Sequence, residues 1–311
     1  MPELPEVETI ARGLAKRVTG DVIETVWLGS KPQTFKSRPA EIAAALEGKR
    51  IGEVRRMGKH IVFELEGRSA RVQSQAKSKR AGGSVRPTRA EAKAADRSGG
   101  PSWEERSGNT GTRAQWIVHL GMTGKMVVCA PEAEIEKHTH AIVKLGSGRE
   151  LRFVDPRRFG RLSVVTEAGF DPGGVEPLGV EGDRFVALFR GRNTPIKSAL
   201  LNQKLLRGVG NIYADESLFR SGIRPRRRAA TLTREQLNKL MAAVKEVLAE
   251  AIALGGSSVS DYVDADGEEG FFQLQHRVYG REGEPCLVCR SPIKRVVIAG
   301  RSSHYCPKCQ R

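Results

Sequence analysis

Two cysteine pairs near the C-terminus constrain this chain more than any other feature. Cys286-Leu-Val-Cys289 and Cys306-Pro-Lys-Cys309 stand sixteen residues apart. Two C-x2-C knuckles at that separation fit a tetrathiolate zinc site, each knuckle offering two sulfurs to one tetrahedral ion. Four thiolates close the coordination sphere, so one structural Zn2+ is expected. The metal would hold a short basic hairpin carrying Lys294, Arg295 and Arg301. A disulfide framework is the weaker reading. The only other cysteine is Cys129, expected as a buried strand residue, and the N-terminus lacks the basic cluster and apolar stretch of an export signal. A reduced, cytoplasmic setting is therefore expected. A thioredoxin-like pair is disfavoured because nothing nearby reads as a βαβ unit.

Upstream, 311 residues suggest about two sizeable domains. Leu4, Val7, Ala11, Leu14 and Val18 recur at spacings of three and four, which predicts an amphipathic helix over 5–18. Pro2 and Pro5 are compatible with it because they lie at its start. Strand-like runs follow at 22–28, 50–56, 60–65, 115–120, 125–129, 141–145, 150–154 and 161–165. Several alternate, as in Ile61/Phe63/Leu65 and Trp116/Val118/Leu120, so one face of each is expected in a core. Many short strands separated by turns imply a sandwich or barrel behind one leading helix.

Residues 69–114 interrupt that pattern with ten basic and four acidic residues and only Val72, Val85 and Trp103 as large apolar side chains. Such a stretch buries too little to offset its ordering entropy, so a disordered insertion is expected. It reads first as a passive loop, with a basic arm that binds phosphates non-specifically as the alternative.

Residues 180–254 read as helical. Thr233-Arg-Glu-Gln236 looks like a capping box, and Leu237, Leu240, Met241, Val244, Val247, Leu248, Ala251 and Ile252 form a stripe expected in a core. Two shorter helices are expected at 196–206 and 211–221, joined by Gly208-Val-Gly210, a turn that would aim free N–H groups at a phosphate.

Charge narrows the partner. Lys and Arg number 52 against 36 Asp and Glu, a net charge of +16, which favours a polyanion. From Arg190 to Arg228 there are ten basic residues and only Asp215 and Glu216 as acids. No run of some 18 apolar residues exists, so no membrane span is expected.

The motifs PELPEVETIARGL, GKHIVFEL, HLGMTG, KHTHAIV, FVDPRRFG, TPIKSALLNQKLLRGVGNIYADESLF and VYGREGEPC, followed by the terminal knuckles, occur in that order. In this the chain resembles the bacterial formamidopyrimidine-DNA glycosylases, base-excision repair enzymes for oxidised purines, over nearly all its length except 69–114. The resemblance implies an α+β fold in three parts. An N-terminal β-sandwich with a leading helix would span 1–166, a helix–two-turn–helix domain 180–275, and a zinc-bound β-hairpin 276–311. It implies excision of formamidopyrimidines and 8-oxoguanine from duplex DNA, then nicking of the abasic site by β,δ-elimination, in a monomer.

The resemblance also assigns residues. Pro2, exposed when Met1 is removed, would be the amine that forms a Schiff base. An N-terminal amine has a reference pKa of about 7.7–8.0 against about 10.4 for lysine, so more of it is free at neutral pH. Glu3 would protonate the opening sugar ring. Lys59 would sit at the lesion, and Arg301 would grip the flanking phosphates and assist elimination. Met122, Arg157 and Phe159 would fill the gap left by the extruded nucleotide. His138, Arg192, Lys197 and Asn211 would contact the DNA backbone. His60, His119 and His140 are expected to be structural, and Glu6 is left outside the catalytic set. Each assignment has an ordinary alternative: Pro2 and Glu3 suit a helix start, and Met122 and Phe159 suit a core. Two other functions stay open, an oxidised-pyrimidine glycosylase like the endonuclease VIII relatives and a non-catalytic zinc-ribbon DNA-binding protein. Leu4 and the Met122/Arg157/Phe159 set weigh against the first of these; the second needs neither Pro2 nor Glu3.

Overall fold

The computed structural model of the chain describes residues 2–67, 114–166, 169–257 and 270–311. The expected insertion, up to residue 113, lies outside the described residues. The first helix, α1 (Leu4–Val18), is followed by β1 (Ile23–Leu28), α2 (Pro39–Leu46), β2 (Arg50–Met57) and β3 (His60–Glu66). Then come β4 (Ala114–His119), β5 (Lys125–Cys129), β6 (Thr139–Leu145), β7 (Glu150–Val154) and β8 (Arg161–Thr166). All strand pairings are antiparallel, in two sheets ordered β1-β6-β7-β5 and β2-β3-β4-β8.

Hydrophobic patterning explains the sandwich. Ile61, Phe63 and Leu65 point inward from β3, Trp116 and Val118 from β4, and Leu151 and Phe153 from β7. Phe63 opposes Trp116 across the β3–β4 ladder, with ring centroids 4.7 Å apart. The helix α1 covers this core with Val7, Ile10, Ala11, Leu14 and Val18, one face of its 3.6-residue period. Each such Val, Leu or Ile side chain contributes about 1.5–3 kcal/mol when fully buried. Cys129 departs from expectation. It ends β5, an edge strand of its sheet, and is half-buried there because only one neighbouring strand covers it.

A second core lies in the helical region, built from α3 (Gly182–Phe189), α4 (Ile196–Leu200), α5 (Asn211–Arg220) and α6 (Arg234–Ala253). The Thr233 hydroxyl accepts Gln236 N–H at 3.2 Å, and the Gln236 side chain accepts Thr233 N–H at 3.1 Å, so the expected capping box forms. The α6 stripe is buried as expected except at Met241 and Ile252, which pack against the helical core but are only half-buried. The helix expected over 196–206 is shorter and stops at Leu200. Side chains take over the backbone there. Asn202 Oδ1 accepts Lys204 N–H, Gln203 Nε2 donates to the carbonyls of Leu201 and Val209, and Gln203 Oε1 accepts Gly208 N–H. These local bonds compete with the helical ladder and win.

A third, smaller cluster joins Phe219 of α5 to Val278, Cys286, Ile293 and Cys306. It seats the hairpin of β9 (Lys294–Ile298) and β10 (Arg301–Tyr305), an antiparallel pair turned at Ala299-Gly300. Both turn residues have positive φ, 48° and 74°, the geometry of a tight hairpin turn.

The start of the chain ties the first two cores together. Leu4 is fully buried, yet it belongs to the helical core and not to the sandwich that the rest of α1 covers. Its N–H donates to the Gly208 carbonyl at 3.0 Å. Gly208 has φ +88°, and a Cβ there would lie 2.7 Å from the Leu4 side chain, so glycine is required on both counts. Leu4→Ala should leave a cavity at this junction and destabilise the protein by about 2–5 kcal/mol, read as a lowered midpoint in chemical denaturation.

Candidate active site

The junction of the three parts encloses a cleft of about 740 Å³. Its walls come from the chain start (Glu3), the β2–β3 turn (Lys59), the end of β4 and the loop after it (His119 and Met122), the N-terminus of α5 (Gly210–Ile212) and the hairpin (Ile298–Ser302). Residues far apart in sequence converge here because the leading helix begins between the two cores.

Glu3 is the most enclosed group in the cleft wall, 3% exposed. Its Oε1 accepts the Ile212 N–H at 3.3 Å, at the start of α5, while Oε2 has no hydrogen-bond partner among the described residues. A Cβ on Gly210 would lie 2.1 Å from the Glu3 carboxyl carbon, so only glycine lets α5 approach this closely. Burial pushes the carboxyl up to about 7. The Lys59 ammonium opposes that rise and Glu6 adds to it. A carboxyl poised near neutrality with one unengaged oxygen can deliver a proton. Pro2, beside it, is buried.

Glu6 contributes more than its sequence position suggested. One carboxylate oxygen accepts the Glu3 N–H at 2.7 Å, and the other accepts the Ser257 N–H at 2.8 Å and the Tyr213 hydroxyl. It therefore fixes the Pro2–Glu3 peptide against α5 and against the start of the segment after α6. Burial raises its pKa, and those hydrogen bonds oppose the rise. Only the first-turn glutamate was legible; its partners Tyr213 and Ser257 lie more than 200 residues away.

Lys59 is 9% exposed and follows Gly58 in the β2–β3 turn. Burial lowers its pKa; Glu3 and Glu6 resist that shift, and Arg301 reinforces it. Arg301 is exposed and lines the cleft from the hairpin. Asn211 also lines it, with Nδ2 donating to Ser302 Oγ at 3.3 Å.

The remaining expected residues divide by position. Met122 is 36% exposed at the cleft wall and Phe159 is 48% exposed, so neither is a core residue. The Arg157 guanidinium lies 5.2 Å from the Phe159 ring centroid. His138 is half-buried beside that loop, its carbonyl accepting the Asp155 N–H. Arg192 is exposed near the end of α3, its Nε donating to the Leu188 carbonyl, and it does not line the cleft.

Lys197 differs from an exposed phosphate contact. Its side chain is fully buried, and Nζ pairs with Asp215 at 2.7 Å and donates to the Ser302 carbonyl. Asp215 also accepts the His304 N–H at 2.9 Å, so this pair anchors β10 to α5. His119, expected to be structural, lines the cleft, as does Tyr279. Burial lowers His119 to about 4, and its Nδ1 accepts the Gly121 N–H, so the neutral ring carries its proton on Nε2.

The four hairpin cysteines bring their sulfurs within 4.8 Å of one another. Sulfurs about 2.3 Å from a tetrahedral zinc lie about 3.8 Å apart. The Cys286–Cys309 and Cys289–Cys306 separations, 3.9 and 3.4 Å, fit that set. Zinc there would cross-link the two knuckles and hold the hairpin that presents Arg301.

Comparisons with known proteins converge. The formamidopyrimidine-DNA glycosylase N-terminal domain matches residues 1–162, the formamidopyrimidine-DNA glycosylase H2TH domain matches 174–263, and a zinc finger found in FPG and IleRS matches 283–311. The formamidopyrimidine-DNA glycosylase of Solibacter usitatus is 41% identical over 313 residues, with both chains covered fully. That of Gluconobacter oxydans is 39% identical, again over the whole of both chains. The MutM (Fpg) protein of Thermus thermophilus superposes with a TM-score of 0.76 at 38% identity, covering 99% of this chain and 98% of that one. Lactococcus lactis Fpg in complex with abasic-site DNA gives a TM-score of 0.79 at 30% identity, covering 99% of each chain.

The metal site generates a direct expectation. The purified protein should contain one zinc per chain by elemental analysis. Cys286→Ser should lose it and unfold the hairpin while the sandwich keeps its circular dichroism, because structural zinc supplies folding free energy locally.

Proposed function

The chain belongs to the formamidopyrimidine-DNA glycosylase family, and from that premise we propose that it excises oxidised purines from duplex DNA and then nicks the abasic site, using the N-terminal amine of Pro2. The observation that carries this reading is the enclosed Glu3 carboxyl, next to Pro2, with one oxygen unengaged in a cleft of nucleotide size. Relatives of known structure support the substrate class, since Lactococcus lactis Fpg has been crystallised with abasic-site DNA and with N7-benzyl-Fapy-dG-containing DNA, and mutants of it with Fapy-dG-containing DNA.

The steps follow from the residue types. A purine inside a duplex is out of reach, so its nucleotide is turned out at a cost of a few kcal/mol. Met122 and Phe159 occupy the gap, and Arg157 hydrogen-bonds to the orphaned base. Lys59, Asn211 and Arg301 hold the flanking phosphates in the cleft, with His138 on the neighbouring backbone; Arg192 contacts DNA further out. Lys197 acts one step back, by fixing the strand that carries Arg301. The Pro2 nitrogen bonds to C1′ as the base departs with the glycosidic electron pair, and the proton shed by that nitrogen neutralises the departing base. Glu3 then gives its proton to the ring oxygen as the sugar opens, leaving an iminium between Pro2 and C1′. Proton loss from C2′ expels the 3′ phosphate, and a second elimination expels the 5′ phosphate. Water releases Pro2. Zinc, when bound, holds the hairpin and takes no part in these steps.

The two roles separate by mutation. Glu3→Gln keeps the shape but cannot donate the proton, so excision of 8-oxoguanine should fall by at least about 10²–10⁴-fold. An abasic site already exists partly as the open aldehyde, so nicking there should survive. Retaining Met1 turns the Pro2 nitrogen into a tertiary amide, and both activities should vanish while duplex binding persists. Full excision by protein with Met1 confirmed in place would refute the nucleophile.

The pH profile carries a second expectation. Glu3 must be protonated and the Pro2 amine free. With Glu3 near 7 and the amine near its reference of about 7.7–8.0, the productive combination grows as pH rises toward 7 and shrinks above 8. Single-turnover excision should therefore be bell-shaped, with its maximum between about pH 7 and 8. A rate that climbs steadily to pH 9 would contradict a Glu3 general acid.

A further inference from the structure

We infer that Asp155 is a positioning residue for the duplex wedge, its single carboxylate locking Met122, Arg157 and Phe159 into one arrangement. The inference rests on the reading above that these three fill the gap left by the extruded nucleotide. They lie on two separate loops, one between β4 and β5 and the other between β7 and β8. Asp155 follows β7 directly and is fully buried. Its Oδ1 accepts the Thr123 hydroxyl at 2.7 Å and the Arg157 N–H at 3.2 Å, and its Oδ2 accepts the Gly160 N–H at 2.7 Å. Thr123 adjoins Met122, and Gly160 adjoins Phe159. One side chain thus holds a neighbour of each apolar wedge residue and the backbone of the arginine.

The carboxylate is itself fixed. The Asp155 N–H donates to the His138 carbonyl at 3.0 Å, and the Asp155 carbonyl lies 3.0 Å from His140 Nε2. The loops also meet directly. Gly121 has φ +66°, and a Cβ there would lie 2.4 Å from both the Gly160 nitrogen and the Phe159 carbonyl carbon. Between Arg157 and Phe159, Arg158 takes a left-handed φ of 57°, uncommon for a residue with a Cβ. The Asp155 bonds on either side of Arg158 hold that turn closed, and Arg157 and Phe159 project together into solvent.

Asparagine cannot reproduce this. Asp155 uses both oxygens as acceptors, whereas Asn offers one acceptor oxygen and an NH2 group. In either orientation a loop donor faces another donor, and a buried N–H or hydroxyl loses its partner. The wedge should then lose its fixed geometry while Glu3, Lys59 and the hairpin keep theirs.

The test compares borohydride trapping at an abasic site in duplex and in single-stranded DNA, where no orphaned base needs a wedge. For Asp155→Asn the duplex-to-single-strand ratio of trapping rates should fall by about 10–100-fold relative to wild type. A general loss of stability would lower both rates and leave the ratio unchanged, and an unchanged ratio in a folded Asp155→Asn protein overturns the inference. If that variant does not fold, Thr123 decides. Thr123→Val removes the hydroxyl and should lower the ratio several-fold, while Thr123→Ser keeps it and should restore the wild-type ratio; equal ratios in both overturn the inference. A wild-type protein that traps single strand as fast as duplex would instead defeat the wedge reading on which this rests.

Discussion

Leu4 is the first large side chain of the leading helix, and the site depends on where it goes. The helix lies on the sandwich core, but Leu4 is buried in the helical core and its N–H is held by the Gly208 carbonyl. The residues just before it are therefore drawn into the seam between the two cores. Glu3 meets the N-terminus of α5 because Gly210 leaves room, and Pro2 is carried in beside it. A terminal amine is ordinarily the most mobile group on a chain. In the proposed reaction the Pro2 amine would be such a group, and the anchoring of Glu3 and Leu4 would fix it as an amine nucleophile requires.

Burial also sets the electrostatics. Glu3, Glu6 and Lys59 share an enclosed region, and each is shifted toward its neutral form by loss of water. Attraction between Lys59 and the carboxyls opposes that shift without cancelling it, while Glu6 adds to the shift at Glu3. The outcome is a carboxyl near neutrality beside Pro2. Further out, buried acids serve as fasteners. Asp215 pairs with Lys197 and holds the His304 N–H, while Glu216 accepts the N–H groups of Arg277, Val278 and Tyr279. Both lie on α5, so this one helix registers the hairpin to Glu3. Breaking a buried pair such as Lys197–Asp215 typically costs about 3–5 kcal/mol, because it strands a charge.

Much of the fold was legible because it follows from periodicity. The β3 and β4 alternation, the α1 stripe and the Thr233 capping box depend on residues near one another in sequence, and each formed as read. The four cysteines were legible because metal geometry constrains spacing. The end of α4 was hidden because Asn202 and Gln203 divert the backbone with side-chain bonds that helix periodicity does not encode. Lys197 looked like a surface cation until its partner Asp215, on another helix, became visible. Glu6 and Asp155 were obscure for the same reason. Their partners Tyr213, Ser257, Thr123 and Gly160 come together only through the tertiary fold.

The central claim is that the terminal amine, and not the nearby buried lysine, attacks the sugar. Lys59 is a genuine rival, since burial lowers its pKa in the same cleft. The decisive measurement is borohydride trapping of mature protein on abasic duplex DNA, followed by proteolysis and mass spectrometry of the cross-linked peptide. The adduct mass should fall on the peptide that begins at Pro2, with the Lys59 peptide unmodified. A DNA adduct on Lys59, with the Pro2 peptide recovered free, would contradict the account.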